Sequence, residues 1–278
     1  VLTEVGNGKR ITSLPKVYGF TSIQMTKTNS TANNPNSLFL TNSNLGAVTD
    51  LYQLTMAAGY LQNGMNNTST FELWIRNLPE HRSFLIAAGL EQVLHYINNL
   101  RFTNKIINYL KGQQIFKDVD DSFYRYLKNF RFNGDMFAVP EGTVIFGEEP
   151  VLRVTAPLIE CQIIETYLLA TINFQTMIAS KAARVVLAAR GHDVVDYGTR
   201  RAHGPQAGTL AARACYISGC YGTSNVLAGC ELGIPVKGTM AHSWIMAVGN
   251  ELESFQKFHR SFPDNTILLI DTYDTITG

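Results

Sequence analysis

The 278-residue chain carries 23 Lys and Arg against 22 Asp and Glu, a formal charge of +1, with 45% hydrophobic and 16% charged residues. That balance suits one large or two modest domains with a substantial core. It offers no global attraction to nucleic acid or to an anionic membrane, so any anion must be met locally. No stretch approaches the roughly 20 apolar residues of a membrane helix, and Val1–Arg10 lacks the basic-then-apolar plan of a secretory signal. Neither a membrane nor a nucleic-acid partner is expected.

Residues 1–44, rich in Asn, Thr and Ser without a sustained apolar period, read as a disordered leader. Leu51, Leu54 and Ala58 behind Asp50 predict a helix over 49–60. Alternation over Phe71–Arg76 predicts a half-buried strand, and Leu85–Ala88 is a short apolar run. Helices follow at about 89–98, 105–110 and 121–129. Three brief β-rich runs (136–139, 144–146 and 150–155), punctuated by Gly and Pro, predict a small antiparallel unit. From Pro157 a long helical pattern through Ile163, Ile164, Tyr167 and Leu168 reaches about Ala189. Beyond it the rhythm becomes strand 193–197, helix 206–217, helix 224–232, strand 236–239, a helix to about Lys257, and strand 266–270. Alternation of this kind predicts parallel βα units.

The division expected is therefore a leader (1–44), an α+β domain (45–157), a connecting helix (158–190) and the first part of an α/β barrel (191–278). A closed barrel takes about eight βα units, and about three or four fit after Arg190. The α/β part is expected to be C-terminally incomplete, with little or no turnover by itself. The four cysteines, Cys161, Cys215, Cys220 and Cys230, form no CxxC pair and no zinc spacing. Each sits in an apolar-periodic segment and is predicted to be a buried, reduced thiol, in keeping with a cytoplasmic setting.

In βα folds the chemistry gathers at the C-terminal ends of strands. Tyr197–Pro205 places Arg200 and Arg201 just past a strand; their planar donor forks suit phosphate, or they form a solvated pair with one structural salt bridge. His242, after the strand expected at 236–239, could be acid, base, nucleophile, metal ligand or a satisfied structural group. Asp271–Asp274, after the strand expected at 266–270, suits Mg²⁺ or ribose hydroxyls, or caps a helix through Asp271 or Thr272. Together these groups are expected at one rim of one sheet.

The residues themselves go further. Asp196–Pro205 (DYGTRRAHGP) resembles the arginine loop of nicotinate phosphoribosyltransferases. So do Gly222–Gly229 (GTSNVLAG), Gly233–Ser243 (GIPVKGTMAHS) and Thr49–Met56 (TDLYQLTM), in order, from about residue 46 onward. The resemblance implies a type II phosphoribosyltransferase fold: an α/β N-terminal domain followed by an irregular α/β barrel. It implies nicotinate joined to phosphoribosyl pyrophosphate with coupled ATP hydrolysis, and Mg²⁺. It also implies a homodimer sharing its active sites, in the cytoplasm. His242 matches the histidine that ATP phosphorylates. Tyr197 matches the aromatic that stacks on the pyridine ring, and Tyr52 the one supplied by the neighbouring subunit. Thr199, Arg200 and Arg201 match the substrate-binding loop, Ser224 and Asn225 the approach to base and ribose. Asp271 matches an acidic residue at the ribose and metal end, counted with His242 as catalytic. The readings left beside this one are a nicotinamide-preferring relative, a non-catalytic fragment that pairs with a full-length subunit, and a generic sugar-phosphate-binding module.

Overall fold

The protein is described by a computed structural model over residues 39–276. Most of the expected leader, 1–38, lies outside the described residues. Its last part is ordered: Thr41 N donates to Asn44 Oδ1 (2.9 Å), and a 3₁₀ turn, Leu45–Ala47, buries Leu45.

The described chain divides between two compact units, one holding 39–236 and the other 237–276. In the first, α1 (Leu51–Gln62) turns Leu54, Ala57 and Ala58 inward. Strand β1 (Thr68–Trp74) alternates half-buried and exposed residues. It pairs antiparallel with β5 (Pro150–Pro157), whose far edge pairs with β3 (Asp135–Ala138), giving the order β1-β5-β3. The central strand buries Leu152, Val154 and Ala156 on one face, while on the other Val151 is buried, Thr155 half-buried and Arg153 exposed. A second ladder joins β2 (Leu85–Ile86) to β4 (Val144–Ile145). Between them lie α2 (Leu90–Asn99), α3 (Asn104–Lys111) and α4 (Asp121–Asn129). Thr103 caps α3 and Asp120 caps α4.

Helix α5 (Leu158–Ala188) is the spine of this unit. Ile159 and Ile163, then Ile164, Leu168 and Ile172, recur at four-residue intervals and are all buried against the sheet and α1. Each such side chain contributes about 1.5–3 kcal/mol of burial. Further along, Ala179, Ser180, Ala182 and Ala183 are small, which lets α6 (Pro205–Ile217) pack closely on this half of the spine. The expected boundaries at 157 and 190 follow changes of element type. Contacts bind α5 to elements on both sides of it, and the compact units meet between Val236 and Lys237.

After α5 the parallel arrangement is short. Strand β6 (Val195–Asp196) pairs with β7 (Gly222–Thr223), and Thr223 makes one further parallel bridge to Val236. Helix α7 (Val226–Leu232) follows β7. The strand expected over 236–239 is thus reduced to that single bridge, while the two-residue β7, too short for any period, was not foreseen.

In the second unit the single helix expected to about Lys257 is two: α8 (His242–Val248) and α9 (Glu251–Ser261). Gly249, at φ +85°, ends the first, and Asn250 Oδ1 accepts from Glu253 N (2.9 Å) to start the second. Trp244, Phe258 and Phe262 form a chain of ring contacts there. The strand expected over 266–270 is absent, because that segment has no ladder partner among the described residues. Consequently, among the described residues, the strand ends expected ahead of His242 and Asp271 are not there.

Candidate active site

The site begins where β6 ends. Asp196 Oδ1 accepts from Gly198 N (2.8 Å), closing a tight Asx-type turn. A Cβ at Gly198 would lie 2.9 Å from that same oxygen, so a larger residue there would displace the Asp196 carboxylate. The turn feeds a 3₁₀ segment, Thr199–Arg201, held by Arg201 N donating to Gly198 O (2.8 Å). Gly204, at φ +111°, and Pro205 then start α6. Thr199 rests on this helix: its Cγ2 and O stand 3.3 Å from where a Cβ on Gly208 would be.

The opposite wall is the end of β7. Thr223 Oγ1 donates to Asp196 Oδ2 (3.0 Å), and Ser224 N donates to Asp196 O (2.8 Å). Asn225 N donates to Thr223 Oγ1 (3.1 Å), and Asn225 Nδ2 donates to Thr199 Oγ1 (3.2 Å). These bonds join Asp196, Thr223, Asn225 and Thr199 into one chain. Asn225 is buried, and its Oδ1 also caps α7 by accepting from Ala228 N (2.8 Å). Its side chain is therefore structural as well as available to a ligand through its second amide hydrogen.

Tyr197, Thr199, Arg200, Arg201, Ser224 and Asn225 are thus gathered at one corner. Tyr197 is 48% exposed. Arg200 and Arg201 are exposed, and among the described residues no carboxylate pairs with either within 4.0 Å. The structural salt bridge is not formed. Two free guanidinium groups beside the first turn of a 13-residue helix, next to an exposed aromatic ring, can hold an anion and a flat ring side by side.

Tyr52 lies elsewhere in this unit. It is 48% exposed on α1, its OH donates to Glu165 Oε1 (3.3 Å), and it makes no ring contact with Tyr197. Partial burial, then the nearby Glu165 carboxylate, push its phenol above the ordinary range. It borders an open groove of about 430 Å³ with Trp74, Thr166, Leu169 and Asn173.

In the second unit His242 opens α8, exposed, with Nδ1 3.2 Å from Thr272 Oγ1. That contact sets the imidazole beside the corner that carries Asp271, itself exposed. Residues 271–276 form bends and turns, so neither Asp271 nor Thr272 caps a helix there. Among the described residues no group of three or more His, Cys, Asp and Glu side chains could hold a metal.

The thiols differ from expectation. Cys161 and Cys220 are buried, Cys215 is half-buried and Cys230 is exposed, and all four are free. Cys230 follows the apolar period of α7 but falls on its uncovered face, beside the exposed Val226 and Leu227. No helix among the described residues is long and apolar enough to cross a membrane.

Two groups of polar residues emerge only from the coordinates. Asp196 and Thr223 organise the corner, and the spacing Asp196-Tyr197-Gly198 was the available signal for the turn. The other is an ion-pair network behind α6. Arg213, 11% exposed, donates bidentately to Glu141 (Nη1–Oε1 2.9 Å, Nη2–Oε2 2.6 Å), through Nε to Glu91 Oε2 (3.1 Å), and to Gln175 Oε1 (3.2 Å). Glu141 Oε1 also accepts from Gly89 N and Leu90 N at the start of α2. Burial works against ionising Glu141, but Arg213 and these backbone donors outweigh it and hold its carboxyl below the ordinary range.

An antiparallel layer on a long helix, followed by a parallel strand pair with helices, places the chain in the α/β class. Its relatives place it more closely. Residues 48–173 match the nicotinate phosphoribosyltransferase N-terminal domain, and 192–277 match the nicotinate phosphoribosyltransferase family. A nicotinate phosphoribosyltransferase of Mycobacterium tuberculosis is 49% identical over 83% of this chain and 49% of its own length. One from Bacillus subtilis is 39% identical over 82% of this chain and 46% of its own. The crystal structure of human nicotinic acid phosphoribosyltransferase superposes with a TM-score of 0.68 at 36% identity, over 72% of this chain and 40% of that one. A nicotinate-nucleotide pyrophosphorylase from Pyrococcus furiosus, at 23% identity over 88% of this chain and 54% of that one, reaches the same TM-score and shares the fold. The chain belongs to the nicotinate phosphoribosyltransferase family, and it spans about half the length of the curated relatives it matches.

Proposed function

We propose that this chain provides the base- and phosphate-binding corner of a nicotinate phosphoribosyltransferase, which joins nicotinate to phosphoribosyl pyrophosphate and couples the transfer to ATP hydrolysis in NAD salvage. The observation that carries the reading is the pair of unpaired arginines, Arg200 and Arg201, at the start of α6 beside the exposed Tyr197, in a chain of this family.

In this reading Tyr197 stacks on the pyridine ring, and Arg200, Arg201 and Thr199 hold phosphate oxygens. Ser224 approaches the base and Asn225 the ribose. The pyridine nitrogen attacks the ribose anomeric carbon as its bond to pyrophosphate breaks, through an oxocarbenium-like state. The protein contributes chiefly orientation of the base and stabilisation of the departing charge. Tyr52, exposed and without a ring contact to Tyr197, serves the neighbouring subunit of a homodimer. His242 is the group that ATP phosphorylates, which adds negative charge and acceptor oxygens beside Thr272 and Asp271. Asp271 meets ribose hydroxyls or Mg²⁺, and the ion would neutralise pyrophosphate charge. The reaction consumes free cytoplasmic metabolites, which sets the protein in the cytoplasm.

Isothermal titration of the purified chain with phosphoribosyl pyrophosphate, beside conversion of labelled nicotinate to its mononucleotide, tests this. Saturable binding that weakens at least about tenfold in Arg200→Ala supports it. Absence of both binding and labelled mononucleotide overturns it. Transfer of label from γ-labelled ATP, lost in His242→Ala, tests the phosphohistidine separately.

A further inference from the structure

An anion-binding corner is a poor place for a carboxylate, since like charge opposes the ligand at short range. Asp196 nevertheless sits there, half-buried, immediately before Tyr197 and four residues before Arg200. Every acceptor it offers is engaged by one of the two walls. Oδ1 takes Gly198 N (2.8 Å), Oδ2 takes the Thr223 hydroxyl (3.0 Å), and the backbone oxygen takes Ser224 N (2.8 Å). Bonds to an ionised acceptor are about twice as strong as neutral ones. No other side chain among the described residues bonds to both the Tyr197–Arg201 turn and Thr223.

The remaining support for the turn is mostly internal: Arg201 N donates to Gly198 O (2.8 Å) and Ala202 N to Thr199 O (3.3 Å). Thr199 has Asn225 Nδ2 on one side (3.2 Å) and the bare backbone of Gly208 on the other. Arg200 and Arg201 are exposed, without ion pairs, and repel each other in the absence of an anion. A turn of this kind, with exposed cations and few buried contacts, moves easily unless it is tied to a neighbouring element.

We propose that Asp196 is the positioning residue of the phosphate-binding turn: its carboxylate ties the Gly198 end of the arginine loop to Thr223 on β7, fixing Tyr197, Arg200 and Arg201 before the ligand arrives. Asp196 does not touch the ligand. It acts by sparing the ordering of the loop on binding, which is the saving that preorganisation provides. The inference rests on the proposed function for the identity of the anion, though not for the geometry of the tie.

The test uses the full chain with Asp196→Ala, Asp196→Asn and Thr223→Val. Phosphoribosyl pyrophosphate affinity, by titration, is expected to fall about tenfold in Asp196→Ala. Asp196→Asn keeps an oxygen for Gly198 N and is expected to recover most of that loss. Thr223→Val removes the Oδ2 bond together with the acceptor for Asn225 N, leaves the Gly198 N bond to Oδ1 in place, and is expected to show a loss of a few-fold. Hydrogen exchange is read on the same proteins without ligand. Peptides covering 197–204 should exchange faster in Asp196→Ala, while those from α5 and α6 keep their protection, a localisation that general destabilisation would not produce. Should Asp196→Ala fail to fold, the other two variants carry the same readouts. Exchange in 197–204 unchanged from wild type, or affinity within twofold of wild type in Asp196→Ala, overturns the proposal. If the wild-type chain binds no phosphoribosyl pyrophosphate, the functional reading falls, and the exchange result still decides the role of Asp196.

Discussion

The layer built on α5 and the corner at the ends of β6 and β7 are held by different forces. In the layer, Phe116, Phe123, Leu127, Ile159, Ile163 and Ile164 are almost completely buried in one continuous apolar cluster. At the corner the buried apolar set shrinks to Ala212, Ala228 and Ile234, and directed bonds among Asp196, Thr199, Thr223 and Asn225 take over. Apolar burial is additive and tolerant of neighbours, whereas a hydrogen-bonded network depends on each member having its partner. The layer should therefore respond to substitution with losses of stability, and the corner with losses of binding.

The sharpest way to break this contrast is a cavity in the layer. Phe123→Ala removes a ring with 0% exposure and is expected to cost about 3–5 kcal/mol by urea denaturation. A loss under about 1 kcal/mol would show that the cluster is not the main support. The Arg213 network is intermediate, polar yet buried between the two regions. Arg213→Ala strands Glu141 and Glu91 and is expected to cost about 3 kcal/mol. Glu141→Gln in that background should cost much less than it does alone, because the two side chains share one interaction.

The same pair sets a pH dependence. The Glu141 carboxyl is held below its ordinary value in the fold, so its stabilisation is complete above the ordinary carboxylate range near 4.5 and is lost as pH falls through the lowered value. Thermal melting of wild type should therefore drop more steeply below that range than melting of Glu141→Gln; parallel curves would remove Glu141 from the account. A smaller effect is expected of Gly208→Ala, whose methyl would stand 3.3 Å from Thr199. Moving the turn by a few tenths of an ångström should cost about 1 kcal/mol while lowering affinity for phosphoribosyl pyrophosphate several-fold. Arg200→Ala closes the series. It removes no ion pair and should leave the melting temperature within a degree or so of wild type, with its effect confined to anion binding.

What could be read in advance follows the same contrast. The long helix from 158, the helices beginning at 51, 90, 104 and 121, and the central strand at 150–157 all carry an apolar period or a cap, and all are present. Strand 266–270 is apolar and β-branched, yet a strand exists only when another segment pairs with it, and none of the described residues does. The break at Gly249-Asn250 was legible as a helix stop followed by a cap, but the surrounding apolar residues masked it. At the corner, Tyr197, Arg200 and Arg201 stand out as unusual residues after a strand. Asp196 and Thr223 do not, since an aspartate before a glycine and a threonine at a strand end are commonplace.

Local spacing and residue type were thus sufficient for the helices before residue 240, the α/β class and the family, because periodic burial and ordered motifs are properties of consecutive residues. The pairing of β6 with β7, the tie from Asp196 to Thr223, and the clasp of Arg213 on Glu141 and Glu91 join positions 27, 72 and 122 residues apart. Such bonds form only when the backbone has already been brought together by burial elsewhere, so the tertiary fold alone decided them.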